Sequence, residues 1–131
     1  MRKVALGLGV TIALVVACDG SEEHFGPCLP GQLPAIEVVV VDASTQEQLS
    51  GRASGLVTNG ERTDSLRVCQ RDHGQVLSRC GMYGFGGTFY VMVVAPEYQA
   101  WDTTGVVVPF GRCGNPTAHL DVALKRFSSR R

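Results

Sequence analysis

The sequence predicts an all-β protein folded as a seven-stranded antiparallel β-sandwich. Short runs rich in β-branched and aromatic residues recur along the chain, and turn-forming residues separate them. No window carries a sustained apolar repeat of 3.6 residues, which argues against helices. Sixteen glycines and six prolines among 131 residues suit a chain with many turns. Several short strands at regular spacing favour two packed sheets.

The clearest predicted strands are two valine-rich runs, 36–42 and 88–95, the second of which stops at Pro96. Asn59-Gly60 predicts a hairpin, because both residues tolerate positive φ. Asp102 to Gly105 predicts a turn between two short strands. Eight segments are candidates for these seven or so strands: 36–42, 53–58, 63–68, 75–80 (the weakest), 88–95, 98–101, 106–109 and 120–125.

Two-residue alternation predicts which side chains face the core. In 120–125 the apolar residues fall on one face and Asp121, Ala123 and Lys125 on the other. The two inner faces of a sandwich must interdigitate, so both sheets contribute to one core. The predicted core residues are Val38, Val40, Val91, Val93, Leu120, Val122 and Leu124.

Size and charge restrict the function. A chain of 131 residues suits a single domain, and 44% hydrophobic residues are enough for a core. Twelve basic and twelve acidic side chains give zero net charge, without the basic patch that nucleic-acid binding requires. We therefore expect no nucleic-acid partner. No phosphate-binding loop or other cofactor motif is evident, so we expect no cofactor.

The first 17 residues have the pattern of a secretory signal peptide. Arg2 and Lys3 precede an apolar run over 4–16, which is shorter than the roughly 20 residues of a membrane-spanning helix. The run ends Val15-Val16-Ala17-Cys18, which resembles the lipobox of bacterial lipoproteins. The resemblance implies that Cys18 becomes the lipid-modified N-terminus of a protein anchored in the bacterial envelope, outside the cytoplasm. The alternatives are a retained membrane anchor and a chance cysteine beside a plain cleavage site.

These features divide the chain into four parts. We expect a signal peptide at 1–17, a polar tether at 18–34, the β-sandwich domain at 35–126 and a tail at 127–131.

With Cys18 assigned to the lipid anchor, four of the five cysteines remain, an even number that suits two disulfides in an exported domain. Three pairings are possible. The short spacing of the inner pair favours Cys69–Cys80 together with Cys28–Cys113. A metal site built from Cys69, His73 and Cys80 is the alternative, but structural zinc sites use closer ligand pairs, so we expect no metal.

The chain also resembles the carboxypeptidase regulatory-like domains, which have the prealbumin (transthyretin) fold. The resemblance rests on the valine-rich strand ending in Asp42, on Gly87-Thr88-Phe89-Tyr90 before the second such strand, and on Ala95-Pro96-Glu97-Tyr98. Glu97 stands where that family more often has glycine. The fold also includes 5-hydroxyisourate hydrolases, whose histidine and arginine motifs are not matched by His119 and Arg112 alone. We therefore expect no enzyme activity and no catalytic residues, and such a hydrolase is the least favoured alternative.

Aromatic side chains supply the predicted binding surface: Tyr83, Phe85, Phe89, Tyr90, Tyr98 and Trp101. Trp101 and Tyr98 are the candidate ligand contacts, because exposed aromatics stack on sugar rings and anchor protein partners. Arg62, Asp64-Ser65 and Arg67 form a polar cluster that is either an anion site or an ordinary solvated hairpin. The sequence thus favours a binding module for a protein or glycan, with a structural envelope lipoprotein lacking a specific ligand as the alternative.

Overall fold

The computed structural model describes residues 33–110 and 116–128. Within these ranges the chain forms strands and no helix, so the predicted all-β class is confirmed. No helix there is long and apolar enough to cross a membrane. The strands in these two ranges number eight rather than seven: β1 Pro34–Asp42, β2 Ser54–Thr58, β3 Thr63–Ser65, β4 Arg67–Asp72, β5 Gln75–Tyr83, β6 Gly87–Val94, β7 Trp101–Val108 and β8 Ala118–Leu124. Pro34, predicted to belong to the tether, is the first residue of β1.

The strands form two four-stranded sheets in a sandwich-like arrangement. The first sheet has the order β4-β5-β1-β8 and the second β3-β2-β6-β7. Both contribute to one hydrophobic core, with Phe89 among its largest buried side chains. Six predicted core residues are at most 1% exposed, whereas Leu120 is only partly buried against the core. The six are Val38, Val40, Val91, Val93, Val122 and Leu124.

The predicted purely antiparallel pairing is wrong for one pair of strands. β8 runs parallel to β1, in register from Ile36 opposite Ala118 to Asp42 opposite Leu124. The reason is the connection that precedes β8. β7 ends at Val108, opposite Gly87 at the start of β6, which is the end of the molecule where β1 begins. The chain then crosses to the first sheet, so β8 starts at the same end as β1. Residue alternation carries no information on strand direction.

The predicted strand 63–68 is in fact two strands in different sheets. β3 pairs with β2, and β4 pairs with β5. The chain changes sheet at Leu66, whose side chain is buried and whose amide donates to the carbonyl of Gly55 at 2.9 Å. A Cβ at Gly55 would collide with the Met92 carbonyl and crowd Leu66, so this corner requires glycine.

The predicted turn at 102–105 is also wrong, because β7 continues through it. Phe89 lies opposite Val106 and Val91 lies opposite Thr103, so β7 has one extra residue between these pairs. This is a β-bulge, and Gly105 takes a φ of 71° beside it. The residues from Asp102 to Gly105, which predict a turn, thus correspond to a bulge within a continuous strand.

Two turns show how local chemistry sets the backbone. The Asn59-Gly60 hairpin joins β2 to β3 as predicted, but only Gly60 has a positive φ. Asn59 acts through its side chain, whose Oδ1 accepts the amides of Glu61 and Arg62 at 3.0 and 2.8 Å. At the other turn, Pro96 precedes Glu97 at φ 74°, and the amide of Tyr98 donates to the Ala95 carbonyl at 3.2 Å. This is the geometry of a type II turn, in which glycine is the favoured residue at the position that Glu97 occupies.

Candidate functional site

Two polar clusters lie at opposite ends of β1, and each combines a carboxylate, arginine and an aromatic ring. The nine residues of β1 separate them by roughly 25 Å at the usual rise of a strand. One cluster surrounds Asp42, the last residue of β1. The other surrounds Asp64, beside the Tyr83 end of β5, where Tyr83 pairs with Pro34.

The Asp42 cluster consists of Asp42, Tyr98 and Arg126. Asp42 is 1% exposed, and its Oδ2 accepts the Tyr98 hydroxyl at 2.6 Å and the Arg126 Nε at 3.0 Å. Its Oδ1 accepts the amides of Ser44 and Thr45 at 2.7 and 3.0 Å. The carboxylate therefore ties together the end of β1, the turn before β7 and the segment after β8.

These hydrogen bonds fix the charge of the cluster. The Tyr98 hydroxyl first, and then the Thr45 amide and Arg126, hold the pKa of Asp42 far below its usual value. The same Tyr98–Asp42 contact raises the pKa of Tyr98, because a phenolate would face the carboxylate. Asp42 therefore stays ionised at neutral pH, and each of its oxygens already accepts two hydrogen bonds.

The two predicted ligand contacts lie in different environments. Tyr98 is 3% exposed and its hydroxyl is bound to Asp42, so it is not accessible as a surface contact. Sequence reasoning missed this role because Asp42 is distant along the chain. Trp101 is partly buried and packs against the core. A cavity of about 100 Å³ lies between Trp101 and the end of β8, too small for more than a few atoms of a ligand.

The larger cavity, of about 500 Å³, lies at the Asp64 end of the molecule. We call it the arginine cleft. Its lining comes from the β2–β3 hairpin, from β3 and β4, and from the end of β5 with the loop that follows. The lining residues are Arg62, Thr63, Asp64, Arg67, Met82, Tyr83 and Phe85.

Asp64 is fixed in the cleft without being enclosed. Its Oδ2 accepts the amide of Met82 at 2.8 Å, and its side chain is 30% exposed. Met82 has a φ of 59°, a strained conformation for a residue other than glycine. Arg67 approaches the other oxygen only to 3.9 Å and is 78% exposed, so the pair is weak.

Arg62 is held by a ring rather than by a carboxylate. Its guanidinium lies 4.7 Å from the centre of the Phe85 ring, a cation–π contact. The ion pairs found within residues 33–110 and 116–128 do not include Arg62. Two arginines and one carboxylate give the cleft a net charge of +1, and Tyr83 beside them is 38% exposed.

The sequence predicts both halves of this cleft but not their contact. The cluster of Arg62, Asp64 and Arg67 is a predicted anion site, although its neighbour Ser65 is not part of the lining. Tyr83 and Phe85 belong to the predicted aromatic surface. They come from a distant segment, and no local pattern places them beside the arginines, because that contact depends on the pairing of β5 with β1.

The predicted disulfide between Cys69 and Cys80 is present and links β4 to β5, with 5.7 Å between the Cα atoms. Cys18, Cys28 and Cys113 lie outside the described residues. A carboxyl oxygen of Glu37 and both sulfurs lie within 4.8 Å of one another, but the disulfide leaves neither cysteine as a thiolate ligand. The structure does not bring His73 to this group: its side chain is 95% exposed and lies 3.4 Å from Asp72.

Glu37 organises the polar residues beside the disulfide. It accepts the Ser78 hydroxyl at 2.7 Å, and its other oxygen lies 3.0 Å from Nδ1 of His119. Ser78 is buried and in contact with Cys69, whereas the His119 side chain is 72% exposed. The serine and the histidine thus both bind the carboxylate. A serine nucleophile is instead activated by a histidine that lies between the serine and the carboxylate and accepts the serine proton. Arg112 lies outside the described residues.

Neither the models of known protein families nor the curated proteins gave a match to this chain.

Proposed function

We propose that this protein is a non-catalytic binding module, lipid-anchored in the bacterial envelope, and that the arginine cleft is its ligand site. The order of charge, apolar run, Ala17 and Cys18 supports the anchor. The Cys69–Cys80 disulfide supports a location outside the cytoplasm. The strand sequence motifs and two-sheet architecture support a prealbumin-like fold.

The observation that carries the function is the contrast in hydrogen bonding at the two polar clusters. The Asp42 carboxylate accepts four hydrogen bonds from the protein and is buried, so nothing remains for a ligand. The arginine cleft combines exposed guanidinium groups, a fixed carboxylate and a half-exposed ring around an open volume. A concave site with a few convergent polar groups is the usual form of a ligand site.

The cleft also lies beside the start of the domain. The amide of Gly84, in the loop that carries Phe85, donates to the carbonyl of Leu33 at 3.1 Å. Leu33, the first described residue of the proposed tether, therefore lies next to the cleft.

The anchor is tested by mass spectrometry of the membrane-extracted protein from a bacterial host. We expect a peptide that begins at Cys18 and carries acyl mass, and we expect Cys18→Ala to move the protein from the membrane to the soluble fraction. An unmodified Cys18 in the membrane-extracted protein would contradict the anchor.

The ligand site is tested by placing a photo-crosslinking amino acid at Thr63, in the cleft, and in a matched variant at His73, on the exposed β4–β5 turn. We expect irradiation of intact cells to give a discrete crosslinked species from position 63 alone. The same products from both positions, or none from either, would overturn the proposal. No product from either would favour a structural lipoprotein without a specific ligand.

A further inference from the structure

We propose that the ligand of the arginine cleft is an acidic saccharide, bound through a sugar carboxylate. This inference rests on the proposed function, since it names the ligand class of the same site. It follows from the charge, the polarity and the ring of the cleft.

The charge of the cleft favours an anion. Arg62 and Arg67 lie on either side of Asp64 in the sequence, and the single carboxylate balances only one of them. Asp64 itself is fixed by the Met82 amide, and its ion pair with Arg67 is long and exposed. A guanidinium group presents a planar fork of N–H donors that matches a carboxylate. A ligand carboxylate therefore gains hydrogen bonds without breaking a strong internal ion pair.

The lining favours a saccharide over a peptide. Five of the seven lining side chains are polar, and the two others are Met82, which is buried, and Phe85, which is covered by Arg62. Two common modes of peptide recognition use apolar pockets or a long free strand edge. The strand at this edge of the second sheet, β3, has only three residues.

The remaining groups suit a sugar ring. The half-exposed Tyr83 ring offers a face on which the C–H groups of a sugar pack. The Asp64 carboxylate, held in place by the Met82 amide, accepts hydrogen bonds from sugar hydroxyls. The cleft volume of about 500 Å³ lies within the usual range of small-ligand sites. The cleft is also open to solvent, so that a saccharide chain can extend beyond it.

The test measures binding of tetragalacturonate to the full mature chain by calorimetry at low salt, with the fully methyl-esterified tetrasaccharide as the neutral probe. We expect the acidic probe to bind, and we expect esterification to weaken binding at least about tenfold, since it removes the charge-assisted hydrogen bonds. Arg62→Gln combined with Arg67→Gln is expected to produce a similar loss.

Two control variants separate the cleft from general surface effects. Arg52→Gln removes a positive charge beside Glu97, at the Asp42 end of the molecule, and is expected to leave the affinity unchanged. Tyr83→Ala is expected to weaken binding, whereas Phe127→Ala, an exposed ring on the segment after β8, is not.

Equal binding of the acidic and neutral probes would overturn the inference, as would equal loss in the Arg52→Gln variant. The absence of saccharide binding, combined with a protein crosslinked specifically from position 63, would refute the saccharide and leave the binding module intact. No binding and no specific crosslink would refute both.

Discussion

Asp42 and Asp64 are both aspartates with arginine and an aromatic ring nearby. They differ in how far the protein buries the carboxylate and satisfies its hydrogen bonds. Asp42 is 1% exposed and accepts four hydrogen bonds, whereas the Asp64 side chain is 30% exposed and accepts one, with a loose ion pair. The composition of a polar cluster therefore does not identify a ligand site. We propose that the hydrogen-bonding capacity that the protein leaves unused does.

The largest predicted effect tests whether the two ends also differ in packing. Leu124 pairs with Asp42, at the end of β8 beside the Asp42 cluster, and is 1% exposed. Leu120 lies nearer the arginine cleft and is partly buried. We expect Leu124→Ala to lower the free energy of unfolding by about 2–5 kcal/mol, through lost burial and a residual cavity. Leu120→Ala is expected to cost less than half as much.

Denaturant unfolding of the two leucine variants measures this difference. Equal losses would mean that β8 is packed uniformly along its length. Losses below about 0.5 kcal/mol for both, the level of plain surface sites, would mean that β8 does not face the core.

The second prediction concerns the pH dependence of the stability that the Asp42 cluster contributes. The pKa of Asp42 is lower in the folded than in the unfolded chain, so its stabilising effect is complete above the unfolded pKa of about 4 and is lost as the pH falls below it. Tyr98→Phe removes the largest cause of that shift. We expect this variant to melt about 5–10 °C below the wild type at pH 7.

The difference in melting temperature between wild type and Tyr98→Phe should then narrow as the pH falls from 5 to 2. Thermal melts across this window provide the test, with Tyr90→Phe as a matched control, since the Tyr90 hydroxyl pairs with Asp102 on an exposed surface at 3.1 Å. A difference that stays constant down to pH 2 would contradict the role given to the Tyr98–Asp42 hydrogen bond.

The smallest predicted effect is a gain in stability at the turn that presents Tyr98. Glu97 has a φ of 74°, which glycine adopts without strain, and its ion pair with Arg52 is exposed. Glycine relieves the backbone strain of the folded state, but it also makes the unfolded chain more flexible, which opposes part of the gain. We expect Glu97→Gly to stabilise the protein by a net amount of about 0.5–1 kcal/mol. Glu97→Ala should give no gain, and an equal gain in both variants would show that charge, not backbone strain, is responsible.

Strands could be predicted where local pattern alone determines them. The valine-rich runs became β1 and β6, and alternation identified Val122 and Leu124 as core residues. The sheet change at Leu66 and the bulge in β7 depend on partners elsewhere in the fold, so their sequence signals were misread. The parallel pairing of β1 with β8 has no local signal, because alternation is the same in either direction.

The candidate site, like the strands, could be predicted only where neighbouring residues in the sequence determine it. Arg62, Asp64 and Arg67 are neighbours in sequence and were recognised together, while Tyr83 and Phe85 reach them only through the pairing of β5 with β1 and the loop that follows β5. Tyr98 was misassigned as a surface contact for the same reason. Its hydroxyl partner, Asp42, lies 56 residues away.

The most direct test compares Asp42→Asn with the cleft variant Arg62→Gln, Arg67→Gln by two measurements on each variant, the melting temperature and the yield of the specific crosslink from position 63. We expect Asp42→Asn to melt about 10 °C or more below the wild type and to keep the crosslink at temperatures where it is folded, because its cluster has no contact with the cleft. We expect Arg62→Gln combined with Arg67→Gln to melt within a few degrees of the wild type and to lose most of the crosslink, because both side chains are exposed and supply the positive charge of the cleft. The reverse pattern, or loss of both properties in both variants, would contradict the division between a closed structural cluster and an open ligand site.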